Sequence, residues 1–340
     1  MKEAFVHEGP RVQIVDSPIP VPAAGQVLIR VHVAGSNPKD WKTYWSPKPM
    51  NQGNDMAGVI HSVGEGVTQF KPGDRVFAYH ELQAPHGTHA EYAIAWEGTT
   101  AHIPDHISFE EAATIPATAL TAAMALYRAL ALPEPWTPVS GGPSPEKALL
   151  IYGASSAVGA FAVKLARASN IHPIIAIAGA GLPFVKTLIN PSKGDLALDY
   201  RDGEQAISEA INAAGYRPSH ALDAISEGST LALCARLLGQ GAALAHVLPL
   251  PDDFPSDMGV SPVLVALGKV HGFLGEEPGA WLFGEVWMHA LSRGLQKGGW
   301  LNGHPWEVVE GGLEGLQSGL ERLKDGKVSA KKLLFRLVDE

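Results

Sequence analysis

Between residues 148 and 248, short apolar runs alternate with segments of helical periodicity, and this alternation constrains the fold more than any other feature. The apolar runs are 148–152, 174–178, 196–200, 220–225 and 242–248, and the helical segments are 157–169, 184–189, 204–214 and 230–238. Buried strands separated by helices indicate a parallel sheet that is covered on both faces. Because crossovers between parallel strands are right-handed, the sequence predicts a doubly wound α/β domain.

The first hundred residues have a β-rich pattern instead. Strand-like runs occupy 27–33, 56–63 and 74–79, with turn signals such as Gly64-Glu65-Gly66 between them. A capping-box start at Ser108 then predicts helical structure over 112–132, with a break at Pro116.

The remaining segments complete the outline. Five prolines within 131–147 predict a loop. The C-terminal part predicts helices at 281–295 and 312–325 and a final strand at 333–338.

Composition excludes several classes of function. With 26 Lys and Arg against 35 Asp and Glu, the net charge is −9, which argues against nucleic acid or an anionic membrane as the main partner. The one cysteine, Cys234, excludes a disulfide framework, a four-cysteine zinc site and cysteine-ligated iron–sulfur clusters. No apolar stretch approaches the roughly 20 residues of a membrane span, and the N-terminus lacks a signal-peptide pattern, so we expect a cytoplasmic protein.

A loop rich in small residues, Gly153–Gly159, joins the first strand of the alternating region to its first helix. This is where the pyrophosphate of a dinucleotide meets helix N-terminal amides. We therefore expect Ser155, Ser156, Ala157 and Val158 to bind the cofactor, although serine replaces the middle glycines of the usual motif.

The end of the second strand bears on the choice of cofactor. NAD-binding sheets carry an acidic residue there, whereas this chain has Gly179, Ala180 and Gly181. The absence of a carboxylate permits the 2′-phosphate of NADP(H). The candidate phosphate partners are the amides of Gly179, Ala180 and Gly181 and the side chains of Lys186 and Tyr200. A solvated helix lysine and a strand-end tyrosine are the alternative interpretations of the two side chains.

Several blocks, in order, closely resemble the signature of the medium-chain dehydrogenase/reductase superfamily. They are Gly53-Asn54-Asp55-Met56-Ala57-Gly58-Val59, Val63-Gly64-Glu65-Gly66-Val67, Phe70-Lys71-Pro72-Gly73-Asp74-Arg75-Val76 and, outside these, 37–42, 86–92, 115–122, 199–202 and 326–329. The resemblance covers nearly the whole chain. It is nearest to the zinc-independent quinone oxidoreductase branch, and within it to fungal enoyl reductases that act in trans beside polyketide synthases.

This resemblance implies a GroES-like substrate domain at 1–125, a Rossmann NADP-binding domain at 126–270 and a C-terminal segment, 271–340, that returns to the first domain. The cleft between the domains would hold nicotinamide and substrate. The expected activity is NADPH-dependent reduction of an α,β-unsaturated carbonyl or enoyl thioester, with a carrier-bound acyl substrate and a polyketide synthase as expected partners. An NADPH quinone reductase and a non-catalytic nucleotide-binding protein are the alternatives, and a monomer or a homodimer is expected.

The resemblance also assigns site residues. Lys42, Tyr44 and Thr121 are the catalytic candidates. The expected cofactor contacts outside the phosphate loop and the second strand are Lys39, Asp40, Trp41, Lys42, Thr118, Tyr200, Val247, Leu248, Ser329 and Ala330, with Lys332 a further candidate for the adenosine phosphate. Residues 271–274 would border nicotinamide and acyl chain, whereas the aromatic stripe of Trp281, Phe283, Trp287 and Met288 is expected mainly in the core.

The same comparison argues against a metal site. Zinc-dependent members ligate the metal with a cysteine and a histidine at positions where this chain has Asn37 and Asn54. Amide side chains bind zinc poorly, so we expect no metal. We interpret His80, His86 and His89 as surface loop histidines rather than metal ligands.

Overall fold

The computed structural model describes residues 1–42, 48–255, 257–273, 275 and 277–338. The chain divides into two compact units: residues 1–120 with 268 onward form the first, and residues 121–267 form the second. None of the helices in these ranges combines the length and the apolar character that a membrane crossing requires.

The second unit is built on a six-stranded parallel sheet. Its strands are β8 (Leu149–Tyr152), β9 (Ile174–Ala178), β10 (Leu196–Asp199), β11 (His220–Asp223), β12 (Ala243–His246) and β13 (Ser261–Leu264), and its helices are α4 (Ala157–Ala168), α5 (Leu182–Leu188), α6 (Glu204–Ala213) and α7 (Gly228–Leu237). The order β10-β9-β8-β11-β12-β13 reverses beside β8, which puts the loop after β8 at a topological switch point.

The first unit contains a two-stranded and a seven-stranded sheet. Its strands are β1 (Lys2–Val6), β2 (Val12–Asp16), β3 (Gln26–Gly35), β4 (Asp55–Val63), β5 (Arg75–Tyr79), β6 (Tyr92–Trp96), β7 (Thr100–His102), β14 (Trp306–Val309) and β15 (Lys332–Arg336). The larger sheet runs β14-β15-β3-β4-β5-β7, with β6 also pairing with β3. Strand β15 pairs with β3, so the C-terminal segment completes the sheet that the N-terminal strands begin.

Five helices accompany these strands, and one of them crosses the division between the units. They are α1 (Lys39–Lys42), α2 (Phe109–Ala113), α3 (Pro116–Ala123), α8 (Ala280–Gly294) and α9 (Leu316–Lys324). Ser108 caps α2 by accepting the amide of Glu111, and Pro116 starts a new helix, as the sequence predicts. Helix α3 continues as a π-helical segment, Met124–Ala129.

Apolar side chains explain why these elements pack where they do. In the second unit, Leu150, Ile175, Ile177 and Leu244 form a core with the inner faces of the helices. In the first, Val27, Ile29, Met56 and Val76 fill the interior of the large sheet. A further cluster joins β15 to α9 through Phe335 and Leu320. These cores fix the ends of β3, β4 and β15, where the polar groups described below converge.

The sequence predictions differ from the structure in the start of one helix and in several short strands, among them β1, β2, β6 and β7 of the β-rich region, which were not predicted individually. Helix α9 begins at Leu316 rather than at 312, because Gly311 and Gly312 adopt positive φ angles of 90° and 56°. Strands β13 and β14 were not predicted, since each has only four residues and lies at the edge of its sheet.

Candidate functional site

The loop after β8 has the close packing that a dinucleotide site requires. Ser156 caps α4 by accepting the amide of Gly159 at 3.1 Å. A Cβ atom at Gly159 would lie 2.2 Å from the carbonyl oxygen of Gly153, so no side chain fits there. The helix has 12 residues, and its first amides can meet a phosphate group. Ser155, Ala157 and Val158 are partly exposed in the same turn.

Tyr200 lies against the end of β9. A Cβ atom at Gly179 would meet ring carbon Cε1 of Tyr200 at 2.4 Å and the phenol oxygen at 2.8 Å. The ring therefore covers the space that an acidic side chain at this position would need. Tyr200 is 48% exposed, so its hydroxyl remains accessible to a ligand. Ala180 and Lys186 are exposed nearby in sequence, whereas Gly181 is buried.

Sequence reasoning missed Arg201, which follows Tyr200 directly. Its guanidinium forms a bidentate pair with Asp199 at the end of β10, and Arg201 lowers the pKa of that carboxyl to about 2. The Asp-Tyr-Arg sequence could have indicated this pair, because a bidentate carboxylate–guanidinium pair forms readily between neighbouring side chains.

The loop after β12 is fixed by hydrogen bonds within the second unit. The amide of Val247 donates to Ser226 Oγ at 2.8 Å, and His246 Nδ1 lies 2.7 Å from the carbonyl of Leu248. Burial raises the pKa of the Asp223 carboxyl, which accepts the amide of Ser226. Val247 and Leu248 can thus contact a ligand through their side chains and through the backbone groups that these two hydrogen bonds do not use.

In the first unit, a buried ion pair lies beside Asn37. Lys332 Nζ lies 2.5 Å from Asp55 Oδ2 and 3.2 Å from Asn37 Oδ1, and Asn37 Nδ2 donates to the same Asp55 oxygen. The other Asp55 oxygen accepts the amide of Ala117 at 2.6 Å, at the start of α3. Both side chains are almost fully buried, at 3% and 0% exposure. Lys332 is therefore an internal ion-pair partner, and the prediction that it binds the adenosine phosphate is wrong.

A second charged pair lies two residues further along the same loop. Lys39 Nζ lies 2.8 Å from Asp40 Oδ1 and also donates to the carbonyl of Gln52. The Asp40 carboxylate is fully buried, and its Oδ2 accepts the amide of Asn37. Asp40 would therefore support a cofactor through Lys39 and Asn37 rather than by direct contact. Lys42 Nζ lies 5.5 Å from the centre of the Trp41 ring.

Two of the three histidines interpreted as surface residues are buried. His80 and His89 are 2% and 0% exposed. His80 directly follows strand β5, and His89 lies shortly before strand β6, so both are held inside the first unit. His80 contacts the carbonyls of Ile94 and Ala84. Burial lowers the pKa of both imidazoles, that of His89 to about 4. Among the described residues, no group of three or more potential ligands could hold a metal ion.

The side chains at the two positions that bind zinc in metal-dependent relatives are engaged otherwise. Asn37 bridges the Asp55–Lys332 pair, and Asn54 Nδ2 donates to the carbonyl of His80 at 2.8 Å. An ammonium group thus already lies within hydrogen-bond distance of the first position. This arrangement agrees with the prediction that the chain works without zinc, because a cation next to a lysine ammonium would be repelled.

The remaining predicted residues are distributed as follows. Thr118 is buried, and its hydroxyl donates to the carbonyl of Thr114 at 2.7 Å, whereas Thr121 is partly exposed on the same helix. Tyr44 lies outside the described residues. Ser329 is exposed, and Ala330 has a positive φ of 54° before β15.

The aromatic stripe of α8 divides between core and surface. Trp287 and Met288 are buried as expected, but Trp281 is 63% exposed and borders a cavity of about 800 Å³ within the first unit. Trp96 and His271 line the same cavity, and burial lowers the pKa of His271 to about 3. His271 Nε2 lies 3.0 Å from Thr99 Oγ1, so this imidazole is held neutral and in place.

Comparison with known proteins defines the family. Residues 23–105 match the alcohol dehydrogenase GroES-like domain. The chain is 46% identical over 323 residues to the trans-enoyl reductase fsr4 of Gibberella fujikuroi, covering 93% of this chain and 92% of the relative. It is 31% identical to the trans-enoyl reductase resD of Aspergillus sclerotiorum, over 97% and 98% of the two chains.

Solved structures agree on the fold. An alcohol dehydrogenase superfamily protein of Novosphingobium aromaticivorans matches with a TM-score of 0.82 at 21% identity, over 99% of this chain and 100% of that chain. The CurK enoyl reductase matches with a TM-score of 0.76 at 19% identity, over 98% of both chains. The chain therefore belongs to the trans-enoyl reductase family of the medium-chain dehydrogenase/reductase oxidoreductases.

Family membership implies a nicotinamide cofactor, and the residues present fit one. The loop at Gly153–Gly159 has no room for a side chain at Gly159, and Ser156 orders the first turn of α4. Gly179 leaves the end of β9 open to Tyr200. These are the features that let a backbone approach a pyrophosphate and an adenosine ribose.

Proposed function

We propose that this protein is an NADPH-dependent enoyl reductase that acts on an α,β-unsaturated acyl thioester held by the carrier domain of a polyketide synthase. The observation that carries the proposal is the 46% identity to a trans-enoyl reductase over almost the full length of both chains. Bound reduced nicotinamide would supply the hydride that adds to the β-carbon of the double bond.

The preference for the phosphorylated cofactor rests on Gly179 and Tyr200. NAD-selective sheets place a carboxylate at this strand end, where it binds the ribose hydroxyls and repels a 2′-phosphate. Here the Tyr200 ring covers Gly179 and leaves no space for such a side chain. The Tyr200 hydroxyl and the Gly179–Gly181 amides are the proposed 2′-phosphate ligands. The Arg201 guanidinium, one residue away, is paired with the Asp199 carboxylate.

The proposed domain roles follow the family pattern. The region at 126–270 would bind the dinucleotide through Ser155, Ser156, Ala157 and Val158, with Val247 and Leu248 beside the nicotinamide. The region at 1–125 would contribute the polar loop 37–42, with Lys42 as a catalytic candidate. Thr118, Ser329 and Ala330 stay predicted cofactor contacts, and Tyr44 and Thr121 stay catalytic candidates.

The chemistry requires donors for the carbonyl oxygen of the thioester. As hydride adds to the β-carbon, negative charge moves to that oxygen, and fixed hydrogen-bond donors lower the barrier. The first unit supplies two lysines on one short segment, Lys39 and Lys42, in a chain whose net charge is −9. We propose a cytoplasmic enzyme that meets its substrate on a separate synthase.

The test is a turnover assay with the full chain. NADPH or NADH is mixed with a short enoyl thioester of N-acetylcysteamine, the same acyl chain on pantetheine, a simple enone and a benzoquinone, and cofactor oxidation is followed by absorbance. The proposal expects turnover of the thioesters with NADPH, and at least a tenfold lower kcat/KM with NADH. Turnover of quinones alone would support the quinone reductase alternative. Tight NADPH binding with no turnover would support a non-catalytic protein.

A further inference from the structure

Three polar side chains in the first unit form a line from the interior to the surface: His89, Asp40 and Lys39. His89 and Asp40 are both fully buried, whereas the Lys39 side chain is 27% exposed. We infer that the Lys39 ammonium is the donor that binds the substrate carbonyl oxygen as it becomes negative, and that Asp40 and His89 are positioning residues behind it. This inference rests on the proposed enoyl reductase function.

The geometry of Lys39 supports this role. An ammonium group has three N–H donors. One donates to the carbonyl of Gln52, and the ammonium also lies 2.8 Å from Asp40 Oδ1 in an ion pair that lacks the alignment of a hydrogen bond. Within the described chain the ammonium therefore keeps a donor for a ligand. One hydrogen bond and one ion pair restrict the position of the Nζ atom, and such preorganisation makes a donor effective in a reaction.

Asp40 is suited to hold this lysine rather than to react. Its carboxylate is fully buried, and its second oxygen is occupied by the amide of Asn37 at 2.8 Å. A buried carboxylate needs a cation or several donors close by, and Lys39 is the lysine within 4 Å of it. The loop and the ammonium are thereby fixed to each other.

His89 completes the arrangement by staying neutral. Its Nε2 lies 3.8 Å from Asp40 Oδ2, too far for a direct hydrogen bond, and neither ring nitrogen has a hydrogen-bond partner in the described chain. Burial lowers its pKa to about 4, so at neutral pH it carries no charge. A protonated imidazole here would compete with Lys39 for Asp40, and the neutral ring leaves the carboxylate to the lysine.

Lys39 differs from the other lysine of this segment. The Lys42 ammonium lies 5.5 Å from the Trp41 ring centre, whereas the Lys39 ammonium is fixed by a carboxylate and a carbonyl. The two lysines can therefore be separated by parallel substitutions.

The first experiment measures the binding of a stable enolate. The probe is the acetoacetyl thioester of N-acetylcysteamine, whose enolate form absorbs in the near ultraviolet, titrated with the full-length protein in the presence of NADP⁺. Wild type should raise the enolate fraction of the bound probe, Lys39→Met should lose that increase, and Lys39→Arg should retain part of it. Lys71→Met removes an exposed lysine and is the matched control.

The second experiment separates binding from turnover. For Lys39→Met we expect a loss of about 10² to 10³ in kcat for an enoyl thioester, the usual effect of removing one oxyanion donor. NADPH affinity, measured by fluorescence titration on the same variant, separates a loss of cofactor binding from a loss of kcat. Asp40→Asn keeps an acceptor for the Asn37 amide but loses the charge, so kcat should fall while KM stays nearly constant.

The outcomes distinguish this inference from the proposed function. If wild type reduces no enoyl thioester, the proposed function fails, and the enolate titration still decides the role of Lys39. An unchanged enolate signal and unchanged kcat in Lys39→Met would overturn the inference, as would the lack of an enolate signal in wild type. A loss confined to Lys42→Met would assign the role to that residue instead.

Discussion

The buried pair of Asp55 and Lys332 offers a sharp test of the interior of the first unit. The two side chains lie 2.5 Å apart at 0% and 3% exposure, so removal of either leaves a charge in a low-dielectric interior. Loss of one partner of such a pair typically costs about 3 to 5 kcal/mol. We choose Lys332→Met, which keeps the length of the side chain, and Asp55→Asn, which keeps its shape.

The structure ranks the two substitutions. Without Lys332, the Asp55 carboxylate keeps the Asn37 amide at 2.7 Å and the Ala117 amide at 2.6 Å, and it stays at the positive end of α3. We therefore expect Lys332→Met to lower the free energy of unfolding by about 3 kcal/mol, near the lower end of the typical range. With Asp55→Asn, the buried ammonium keeps only amide oxygens, including Asn37 Oδ1 at 3.2 Å, so the cost should lie near the upper end, at about 5 kcal/mol.

The double variant isolates the interaction between the two charges. It buries no unpaired charge, so its cost should be at least about 3 kcal/mol smaller than the sum of the single costs. The exposed pair Lys2–Asp16, with side chains 56% and 79% exposed, is the matched control. Its cycle should give a coupling within the error of the measurement, because solvent screens exposed pairs.

Tryptophan fluorescence during guanidinium unfolding measures these free energies. Of the seven tryptophans within the described residues, six (41, 96, 281, 287, 300 and 306) lie in the first unit, so fluorescence mainly follows that unit. Following one unit matters because a two-unit chain need not unfold in a single step. A cost below about 1 kcal/mol for Lys332→Met would refute the reasoning, since it would mean that Asp55 bears no charge there or is solvated.

Three further predictions concern other parts of the molecule. Gly159→Ala should weaken NADPH binding at least about tenfold in a fluorescence titration, because its Cβ would lie 2.2 Å from the Gly153 carbonyl oxygen; equal affinity would show that the loop does not cradle the pyrophosphate. Gly179→Ala should displace the Tyr200 ring and weaken binding of NADPH more than of NADH, whereas an equal effect on both would remove Tyr200 from the 2′-phosphate site. Burial lowers the pKa of His89 to about 4, so between pH 6.5 and 4 the unfolded chain binds more protons than the folded chain, and His89 should lower the free energy of unfolding by about 2 kcal/mol between pH 7 and pH 5. His89→Phe should remove this contribution. If the free energy of unfolding of the variant depended on pH as that of wild type does, the burial of a neutral ring would be contradicted.

The local signals in the sequence predicted much of the fold. The β9 strand at 174–178, the cap at Ser108 and the break at Pro116 depend on neighbouring residues, and the structure confirms all three. Edge strand β13 has the sequence Ser-Pro-Val-Leu, in which proline argues against a strand. It forms because its backbone pairs in parallel with β12, and the local sequence pattern does not show which strand a segment will pair with.

The candidate site divides in the same way. The phosphate loop follows from a strand, a turn of small residues and a helix in succession, so it could be found by its pattern. The burial of Lys332 and His89 could not, because it depends on partners far away in the sequence. Asp55 and Lys332 are 277 positions apart, and only the pairing of β15 with β3 brings them together. Lysine is rarely buried, so the sequence favoured a solvent-exposed role for Lys332.

Two lysine–carboxylate pairs of the first unit have a fully buried carboxylate, and these two pairs have different physical consequences. The Asp55–Lys332 pair is closed: its ammonium is buried and meets Asp55 and Asn37, so it can stabilise the fold without reaching a substrate. The Asp40–Lys39 pair is open on one side, because its carboxylate is buried and its ammonium is partly exposed. A closed pair should affect stability first and an open pair should affect turnover first. Lys332→Met should therefore lose mainly free energy of unfolding, and Lys39→Met should lose mainly kcat. Equal losses of both quantities in both variants would show that the two pairs have the same role.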